Sequence, residues 1–209
     1  MYNGMIGLGI TTKDRPELLK ALVDSIHKFT NMSNVLLHIE DDSVERLGVA
    51  KRKNNCLRAL KGCSHVFLLD DDVEIIKEGW IYFFIKNSAE NHLLYLTPKH
   101  NKINTFGKFS VYRDCGGVFM FLTKKHIEKV GAFDEKFGIF GFEHADYSNR
   151  IYGGNQYLCL NDTKDYIYSH DYSNPNHKSS LTDEEKNKHV KNNWDKYFKE
   201  PIKYIYLQL

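Results

Sequence analysis

The sequence predicts a protein of the α/β class, in which short buried strands alternate with amphipathic helices. The first observation is the apolar run at residues 66–69, which is too short for a helix and lacks the alternation of a half-exposed strand. It therefore predicts a strand buried on both faces. The second observation is that Asp70, Asp71 and Asp72 follow this run directly. The third is that segments with apolar residues at helical spacing separate this run from two earlier apolar runs. In open α/β sheets, ligands bind where such strands end.

The three aspartates predict a bound cation at the end of that strand. An unpaired buried carboxylate neutralises or leaves the interior, so these acids are expected where the strand emerges from the sheet. Carboxylates crowded at such a point repel one another unless a cation lies between them, and a hard divalent ion prefers oxygen ligands. An acidic turn that is simply solvated is the alternative interpretation.

The composition is that of one globular domain. The chain has 209 residues, of which 42% are hydrophobic and 27% are charged, and no change in composition marks a domain boundary. A net charge of +2 is too small to predict binding to nucleic acid or to a membrane surface. No stretch approaches the roughly 20 apolar residues of a membrane span, and the N-terminus lacks the pattern of a signal peptide. These features predict a soluble, cytoplasmic protein.

The cysteines support the same location. Cys56, Cys63, Cys115 and Cys159 show neither the paired spacing of metal ligands nor a dense framework. We expect reduced and mostly buried thiols, as in intracellular proteins, and no disulfide.

Residues 5–12 form the first predicted strand, and its two glycines indicate that another group approaches it closely. Asp14 is a suitable N-cap and Pro16 suits a first helical turn, so a helix is predicted from there through Ile26. A strand, a threonine-rich turn and a helix N-terminus together favour an anion, and Arg15 adds a positive charge.

The second predicted strand, residues 35–39, also ends in acids, including Asp41 and Asp42. Carboxylates in this position accept hydrogen bonds from a base or a ribose hydroxyl in nucleotide-binding folds, although a solvated turn with a helix cap fits equally well. The helix predicted over residues 47–60 carries several basic residues, including Arg52. These residues either face a nucleotide diphosphate or are solvated.

The second half of the chain is less regular. The predicted elements are a helix at 79–91, a strand at 93–97, a loop at 101–106 and a strand at 108–113. Residues 115–122 predict a core strand in which the paired glycines Gly116 and Gly117 let a ligand approach the backbone. A short helix follows, capped by Thr123 and ending near Gly131.

Two acids begin the next predicted helix. Glu143 and Asp146 are three residues apart, so they share a face and are stabilised by the helix dipole, with a capping role as the alternative. The last predicted elements are strands at 157–160 and 165–169, His170 directly after the second, a capped polar helix from Thr182 to near Lys199, and a strand or tail at 201–209.

Three segments within residues 6–170 resemble the motifs of the GT-A fold of nucleotide-sugar glycosyltransferases. Residues 11–19 are similar to the Thr-x-x-Arg-Pro-x-x-Leu start of that superfamily, whose residues line the nucleotide site. The three aspartates at 70–72 are similar to its Asp-x-Asp motif. Residues 130–150 resemble its Gly-Gly-Phe-Asp-Glu and Glu-Asp-x-Asp…Arg segments. Virus-encoded glycosyltransferases of capsid glycans are among the proteins that the sequence resembles.

This resemblance implies a mixed central sheet flanked by helices, with a Rossmann-like nucleotide-binding half at about 1–98 and an acceptor-binding half at about 99–209. It implies transfer of a hexose or deoxyhexose from a UDP-sugar to a glycan or glycoprotein acceptor, in the cytoplasm of a virus-infected cell. Mn²⁺ or Mg²⁺ is expected at Asp70, Asp72 and His170. The residues expected to contact the nucleotide sugar are Thr11, Thr12, Arg15, Asp41, Asp42, Arg52, Asp70, Asp71, Gly116 and Gly117.

The chain departs from the family pattern at one catalytic position. Inverting relatives place the catalytic aspartate directly after the glutamate, where this chain has His144. The resemblance therefore leaves Glu143, His144 and Asp146 as candidate bases, or no base at all. It also leaves the stereochemistry of transfer open.

Two other functions fit part of the pattern. A haloacid-dehalogenase-like phosphatase also ends a buried strand with Asp-x-Asp. Its pattern has Thr or Val two residues after the second acid, where this chain has Glu74, and a late Gly-Asp-x-x-x-Asp is missing. A non-catalytic module that binds a nucleotide sugar or a glycan is the second alternative.

Overall fold

The structure is a computed structural model that describes residues 4–88, 93–94, 102–113, 116–153, 157–170 and 179–200. Its strands are β1 Ile6–Thr12, β2 Val35–Asp41, β3 His65–Asp70, β4 Val73–Ile75, β5 Leu93–Leu94, β6 Lys102–Phe106, β7 Phe109–Tyr112, β8 Phe119–Thr123, β9 Tyr157–Leu160 and β10 Ile167–Ser169. Its α-helices are α1 Pro16–Phe29, α2 Val49–Ala59, α3 Trp80–Ser88, α4 Lys124–Val130, α5 Glu143–Tyr152 and α6 Asp183–Phe198.

A five-stranded mixed sheet forms the centre of the fold, with the strand order β2-β1-β3-β8-β5. The first three strands are parallel to one another, whereas β8 runs antiparallel to both β3 and β5. Thr11 on β1 lies in register with Glu40 on β2 and Asp70 on β3. The carboxyl ends of three parallel strands therefore meet at one edge, and the predicted mixed α/β sheet is confirmed.

β3 is buried on both faces, as its sequence predicts. Val66 and Leu68 pack in a core cluster with residues of α2, α4 and α5. Phe67 and Leu69 pack in a second cluster with residues of α1 and α3. Because side chains alternate along a strand, these two clusters lie on opposite faces of the sheet, and β3 is the strand between them.

The glycines of β1 allow a helix to pack closely against this strand. A Cβ atom added at Gly9 would lie 2.8 Å from Cβ of Cys56 on α2, and one at Gly7 would lie 3.0 Å from Cβ of Leu60 just after that helix. The close approach that the sequence predicts is therefore confirmed, and the approaching group is α2. This packing sets the distance between α2 and β1.

Two small sheets flank the central one. β10 pairs antiparallel with β4, which brings His170 next to the acid run, because the His170 backbone N–H donates to the Asp72 carbonyl at 2.8 Å. β6, β7 and β9 form a three-stranded antiparallel sheet. The prediction of a loop at 101–106 is wrong for Lys102–Phe106. These residues form β6, which pairs with β7 through a turn at Gly107.

The helix ends agree with the sequence in most places. Thr123 and Thr182 cap α4 and α6 in capping boxes, as predicted. Asp14 is not an N-cap: its φ is 54°, its backbone N–H donates to Ser43 Oγ at 2.9 Å, and Arg15 occupies the cap position without a side-chain cap hydrogen bond.

Several predictions fall outside the described residues, namely those at 89–91, 95–97, 115 and 201–209. Within the described ranges, no helix is long and apolar enough to cross a membrane. The division into a nucleotide-binding half and an acceptor-binding half, and the cytoplasmic location, stay predictions.

Candidate active site

Side chains of β1 and of Arg15, at the cap position of α1, hold the three aspartates. Thr11 Oγ1 donates to Asp70 Oδ1 at 2.8 Å, and Thr12 Oγ1 donates to Asp71 Oδ2 at 2.6 Å. The Arg15 guanidinium donates to both carboxylate oxygens of Asp71 and, at 3.2 Å, to Asp72 Oδ2. The Thr-Thr-x-x-Arg turn and the acid run, separated by more than fifty residues in sequence, are therefore one hydrogen-bonded unit.

The three acids differ in their surroundings. Asp71 is 0% exposed and its carboxylate is engaged by Thr12 and Arg15. Burial raises the pKa of Asp71 to about 6, against the lowering effect of the Arg15 charge and the Thr12 hydrogen bond. These contacts give Asp71 a structural role, and its predicted contact with a nucleotide sugar would have to replace them. Asp70 and Asp72 line a cleft instead.

The cleft lies over the carboxyl ends of β1, β2 and β3 and has about 840 Å³ of space, part of it open to solvent. It brings together seven of the residues that the sequence predicts: Thr11, Thr12, Arg15, Asp42, Arg52, Asp70 and Asp72. The other residues that line it are Lys13, Val49, Val118, Ile139, Phe140, Ser179, Ser180, Leu181 and Lys186. Lys13 and Lys186 add positive charge to a space that already contains Arg15.

Asp42 and Arg52 stabilise the turn before α2. Asp42 accepts hydrogen bonds from the backbone N–H groups of Leu47 and Gly48 at 2.6 and 3.0 Å, and from Arg52 Nε at 3.0 Å. Arg52 also donates to Glu40 at 2.9 Å. A diphosphate contact by Arg52 would therefore compete with carboxylates that already bind it.

Asp41 is exposed and takes part in a turn with Ser43. It accepts hydrogen bonds from the Ser43 hydroxyl and, at 2.8 Å, from the Ser43 backbone N–H, and both lower its pKa. Its predicted contact with the nucleotide finds no support among the residues that line the cleft.

Lys53 is a site residue that the sequence analysis missed. Its Nζ lies 3.0 Å from the Gly117 carbonyl oxygen and 3.4 Å from Asp70 Oδ1, and the residue is buried. Basic residues on a helix are usually solvated, which is why it was grouped with the others. The available signal was its spacing from Ala50 and Leu57, which places Lys53 on the apolar face of α2.

Glu143 and His144 form a pair at the start of α5. Nδ1 of His144 lies 3.5 Å from Oε1 of Glu143, and the other carboxylate oxygen, Oε2, is buried without a hydrogen-bond partner among the described residues. Burial by itself would raise the pKa of Glu143. The hydrogen bond and charge of His144 and the charge of Lys53 outweigh it and lower this pKa to about 2. Glu143 is therefore a carboxylate at neutral pH.

Gly117 makes room for His144. A Cβ atom added at Gly117 would lie 2.6 Å from Cγ and 2.8 Å from Nδ1 of the imidazole. The sequence predicts that the paired glycines Gly116 and Gly117 let a ligand approach; in the structure, the group that approaches Gly117 is this side chain.

Asp146 is committed to a buried ion pair. Its Oδ2 accepts from Nε of Arg150 at 3.0 Å, and Arg150 also donates to the Val130 carbonyl at 2.6 Å. Burial raises the pKa of Asp146, and the charge of Arg150 opposes this rise. The pair joins α5 to the end of α4, so Asp146 is the weakest of the three candidate bases.

The residues at the cleft fit a divalent ion that is shared with a phosphate. No group of three or more His, Cys, Asp and Glu side chains within the described ranges is arranged to hold a metal by itself. Mg²⁺ and similar ions are commonly bound by one or two carboxylates together with substrate phosphates, which Asp70 and Asp72 would satisfy. The predicted third ligand, His170, has its Nε2 2.6 Å from Glu74 Oε1 and would have to reorient or bind through Nδ1.

Comparison with solved structures assigns the fold. A point mutant of Drosophila β1,4-galactosyltransferase 7 in complex with manganese, UDP-Gal and xylobiose is similar with a TM-score of 0.59 at 16% identity, covering 97% of this chain and 83% of that one. GalNAc-T7 with UDP, GalNAc and Mn²⁺ is similar with a TM-score of 0.57 at 12% identity, covering 77% and 43%. Residues 1–349 of S. aureus TarS are similar with a TM-score of 0.56 at 15% identity, covering 79% and 60%. The protein has the GT-A fold, and the resemblance predicted from its motifs is confirmed.

A curated protein is similar in sequence to part of this chain. It is an uncharacterized glycosyltransferase of Acanthamoeba polyphaga mimivirus, 32% identical over 117 residues, which are 49% of this chain and 45% of the relative. The chain therefore spans less than half the length of that relative. No family model matches the sequence.

Proposed function

We propose that this protein is a metal-dependent glycosyltransferase that moves a hexose or deoxyhexose from a UDP-sugar to a hydroxyl group of a glycan or glycoprotein. The observation that carries the proposal is the unit formed by Thr11, Thr12 and Arg15 with the acid run, at the edge where three parallel strands end. That unit borders a cleft in a GT-A fold, and ligands of open α/β sheets bind at such edges. The similar structures that contain UDP and manganese support the choice of donor and ion.

The cleft provides electrostatic support for a leaving diphosphate. Breaking the bond between sugar and phosphate leaves negative charge on the β-phosphate, and fixed charges aimed at that position lower the barrier. Mn²⁺ or Mg²⁺ held by Asp70 and Asp72 would supply Lewis-acid stabilisation of this charge. Lys53 holds Asp70 through the contact between its Nζ and Oδ1, while Lys13 and Lys186 face the same space.

We assign the proton acceptor to the pair of His144 and Glu143. Nδ1 of His144 lies 3.5 Å from Glu143 Oε1, and a neutral imidazole that donates from Nδ1 to this carboxylate would accept the proton of the attacking hydroxyl at its other ring nitrogen. Glu143, ionised at neutral pH, stabilises the imidazolium that results. Asp146 is not assigned this role, because Arg150 occupies its carboxylate. A base in this position serves an inverting transfer.

The test is a panel of nucleotide sugars, UDP-sugars and GDP-mannose among them, incubated with Mn²⁺, with release of the free nucleotide as the readout. We expect release from at least one UDP-sugar, loss of release with a chelator, and loss of release in Asp72→Ala while circular dichroism is unchanged. Full activity of Asp72→Ala, or activity that chelator leaves intact, would contradict the metal assignment.

The same panel separates the alternative functions. A thermal shift with UDP and Mn²⁺ but no nucleotide release from any sugar would favour a non-catalytic binding module. The phosphatase alternative has lost its main support, because the fold is GT-A; hydrolysis of a generic phosphate ester would revive it.

A further inference from the structure

Residues 137–142 lead into α5, and we refer to them as the cleft loop. Ile139 and Phe140, in the middle of this loop, line the cleft together with Asp70 and Asp72. The cleft loop therefore adds apolar side chains to the space that the two acids also line.

The backbone of the cleft loop has an unusual conformation. Gly138, Gly141 and Phe142 have φ values of 66°, 95° and 72°. A positive φ is uncommon for a residue with a side chain and costs free energy, so a bulky residue such as Phe142 keeps it only where the surrounding structure imposes it. Contacts from outside the loop are therefore expected to hold this conformation.

The start of α2 is one element that the cleft loop contacts. A Cβ atom added at Gly48 would lie 2.3 Å from the Gly138 carbonyl oxygen, so the two backbones approach closely. The Val49 backbone N–H donates to the Ile139 carbonyl at 3.4 Å, which is longer than a typical hydrogen bond of this kind. This contact restrains the loop by packing more than by hydrogen bonding.

Asn193 on α6 donates to three carbonyl groups of the cleft loop. Its Nδ2 lies 2.7, 3.0 and 3.2 Å from the carbonyl oxygens of Phe137, Phe140 and Gly141, and the residue is 2% exposed. Carbonyl oxygens require a donor, and Nζ of Lys196 donates to Oδ1 of Asn193 at 3.1 Å. Both ends of the amide are therefore satisfied in a single orientation.

We propose that Asn193 is a positioning residue, which holds the cleft loop so that Ile139 and Phe140 lie against a bound nucleoside diphosphate. This inference rests on the proposed function and concerns binding of the donor. Asn193 is not among the described residues that line the cleft, so it acts through the loop. Without its amide, three carbonyl groups lose a buried donor and the loop populates other conformations, which lowers the apparent affinity by the fraction that stays competent to bind.

Calorimetric titration of UDP in the presence of Mn²⁺ tests this role in Asn193→Ala. We expect the Kd to rise about tenfold, as it would if about one molecule in ten kept the competent loop. Urea unfolding of the same variant is expected to show a loss of stability as well. A merely structural role would lower stability but leave the Kd of the folded protein unchanged.

Asn161→Ala is the matched control for a loss of stability outside the cleft. The Asn161 amide also joins separate parts of the backbone: its Nδ2 donates to the Gly107 carbonyl at 3.0 Å, and its Oδ1 accepts from Ser110 Oγ at 2.5 Å. None of these three residues is among those that line the cleft. This variant should unfold at a lower urea concentration than the wild type and bind UDP with the wild-type Kd.

Lys196→Ala decides the question if Asn193→Ala does not fold. Lys196 holds Oδ1 of Asn193 and donates to the Lys136 carbonyl at 2.8 Å, directly before the cleft loop. Its loss leaves Asn193 in place but less well oriented, so the Kd for UDP should rise by a smaller factor. Hydrogen exchange should be faster at the amides of residues 139–141 in this variant and unchanged in β1 and β3.

Three results would overturn the inference. They are a wild-type Kd in Asn193→Ala, an equal rise of the Kd in Asn193→Ala and Asn161→Ala, or, where Asn193→Ala does not fold, a wild-type Kd in Lys196→Ala. Each of them leaves the proposed function standing, because the wild type still binds UDP. A wild type that binds no UDP in the presence of Mn²⁺ would reject the proposed function, and this inference with it.

Discussion

At the scale of single residues, three adjacent aspartates have three different environments. Asp71 is enclosed by Thr12 and Arg15, whereas Asp70 and Asp72 line the cleft. Identical side chains differ here because the chain turns after β3: Asp70 accepts from Thr11, whereas Asp71 and Asp72 share the Arg15 guanidinium and only Asp71 is also held by Thr12. Mutation of each aspartate should therefore change the stability of the fold and the binding of ligand to different extents.

Asp71→Ala is expected to destabilise the fold by about 3 kcal/mol, since it leaves the Arg15 guanidinium without its main buried partner. Urea unfolding measures this change. Asp24→Ala is the matched control, because Asp24 is an exposed carboxylate paired with Lys20 on α1 and should cost less than about 1 kcal/mol. An Asp71→Ala protein of wild-type stability that had lost only donor binding would instead make Asp71 a ligand contact.

The lowered pKa of Glu143 predicts the pH dependence of one variant. A carboxylate whose pKa falls from 4.5 to about 2 on folding stabilises the folded state above pH 4.5, and this stabilisation disappears as the pH falls toward 2. The difference in unfolding free energy between wild type and Glu143→Gln should therefore shrink between pH 5 and pH 2.5. Urea titrations at these two pH values measure it. A difference that grows on acidification would contradict the described pairing with His144.

At the scale of elements, the position of the site depends on how closely α2 packs on β1. Gly7 and Gly9 let this helix approach, and α2 carries Lys53 to Asp70 and to the Gly117 carbonyl. The same helix places Arg52 against Asp42 at the end of β2. One contact between a helix and a strand thus sets the geometry of several site residues.

Gly9→Ala tests this dependence. The added Cβ would lie 2.8 Å from Cβ of Cys56 and 2.9 Å from Cδ2 of Leu68, and overpacking of this kind typically costs about 1–3 kcal/mol. The melting temperature and the affinity for the donor should both fall, since α2 must move to make room for the added Cβ. Gly62→Ala is the control, because nothing lies within 4 Å of its added Cβ. Equal stability of the two variants would mean that the close packing is unimportant.

Much of the fold follows from local sequence, and much of the site does not. The burial of β3, the helix caps at Thr123 and Thr182, and the glycines of β1 were predictable from apolar runs and turn chemistry. The β6 strand was missed because its residues are exposed and lack alternation. The partners of Arg15 and His170 depend on which strands become neighbours, which no local pattern specifies.

At the scale of the whole molecule, the GT-A fold places the cleft over the carboxyl ends of the three parallel strands. Phe140 lines this cleft and lies just before the Glu143–His144 pair that begins α5. The matched segment covers less than half of the mimivirus relative, so the activity and substrates of this protein stay a proposal.

The central claim is that the cleft binds a nucleoside diphosphate together with a divalent ion held by Asp72 and Asp70. Calorimetric titration of UDP, with and without Mn²⁺, tests it most directly in the wild type and in Asp72→Asn. We predict that Mn²⁺ tightens UDP binding to the wild type by about tenfold or more, and that Asp72→Asn removes this gain. UDP binding that is independent of Mn²⁺, or an Asp72→Asn variant that keeps the full gain, would contradict the account.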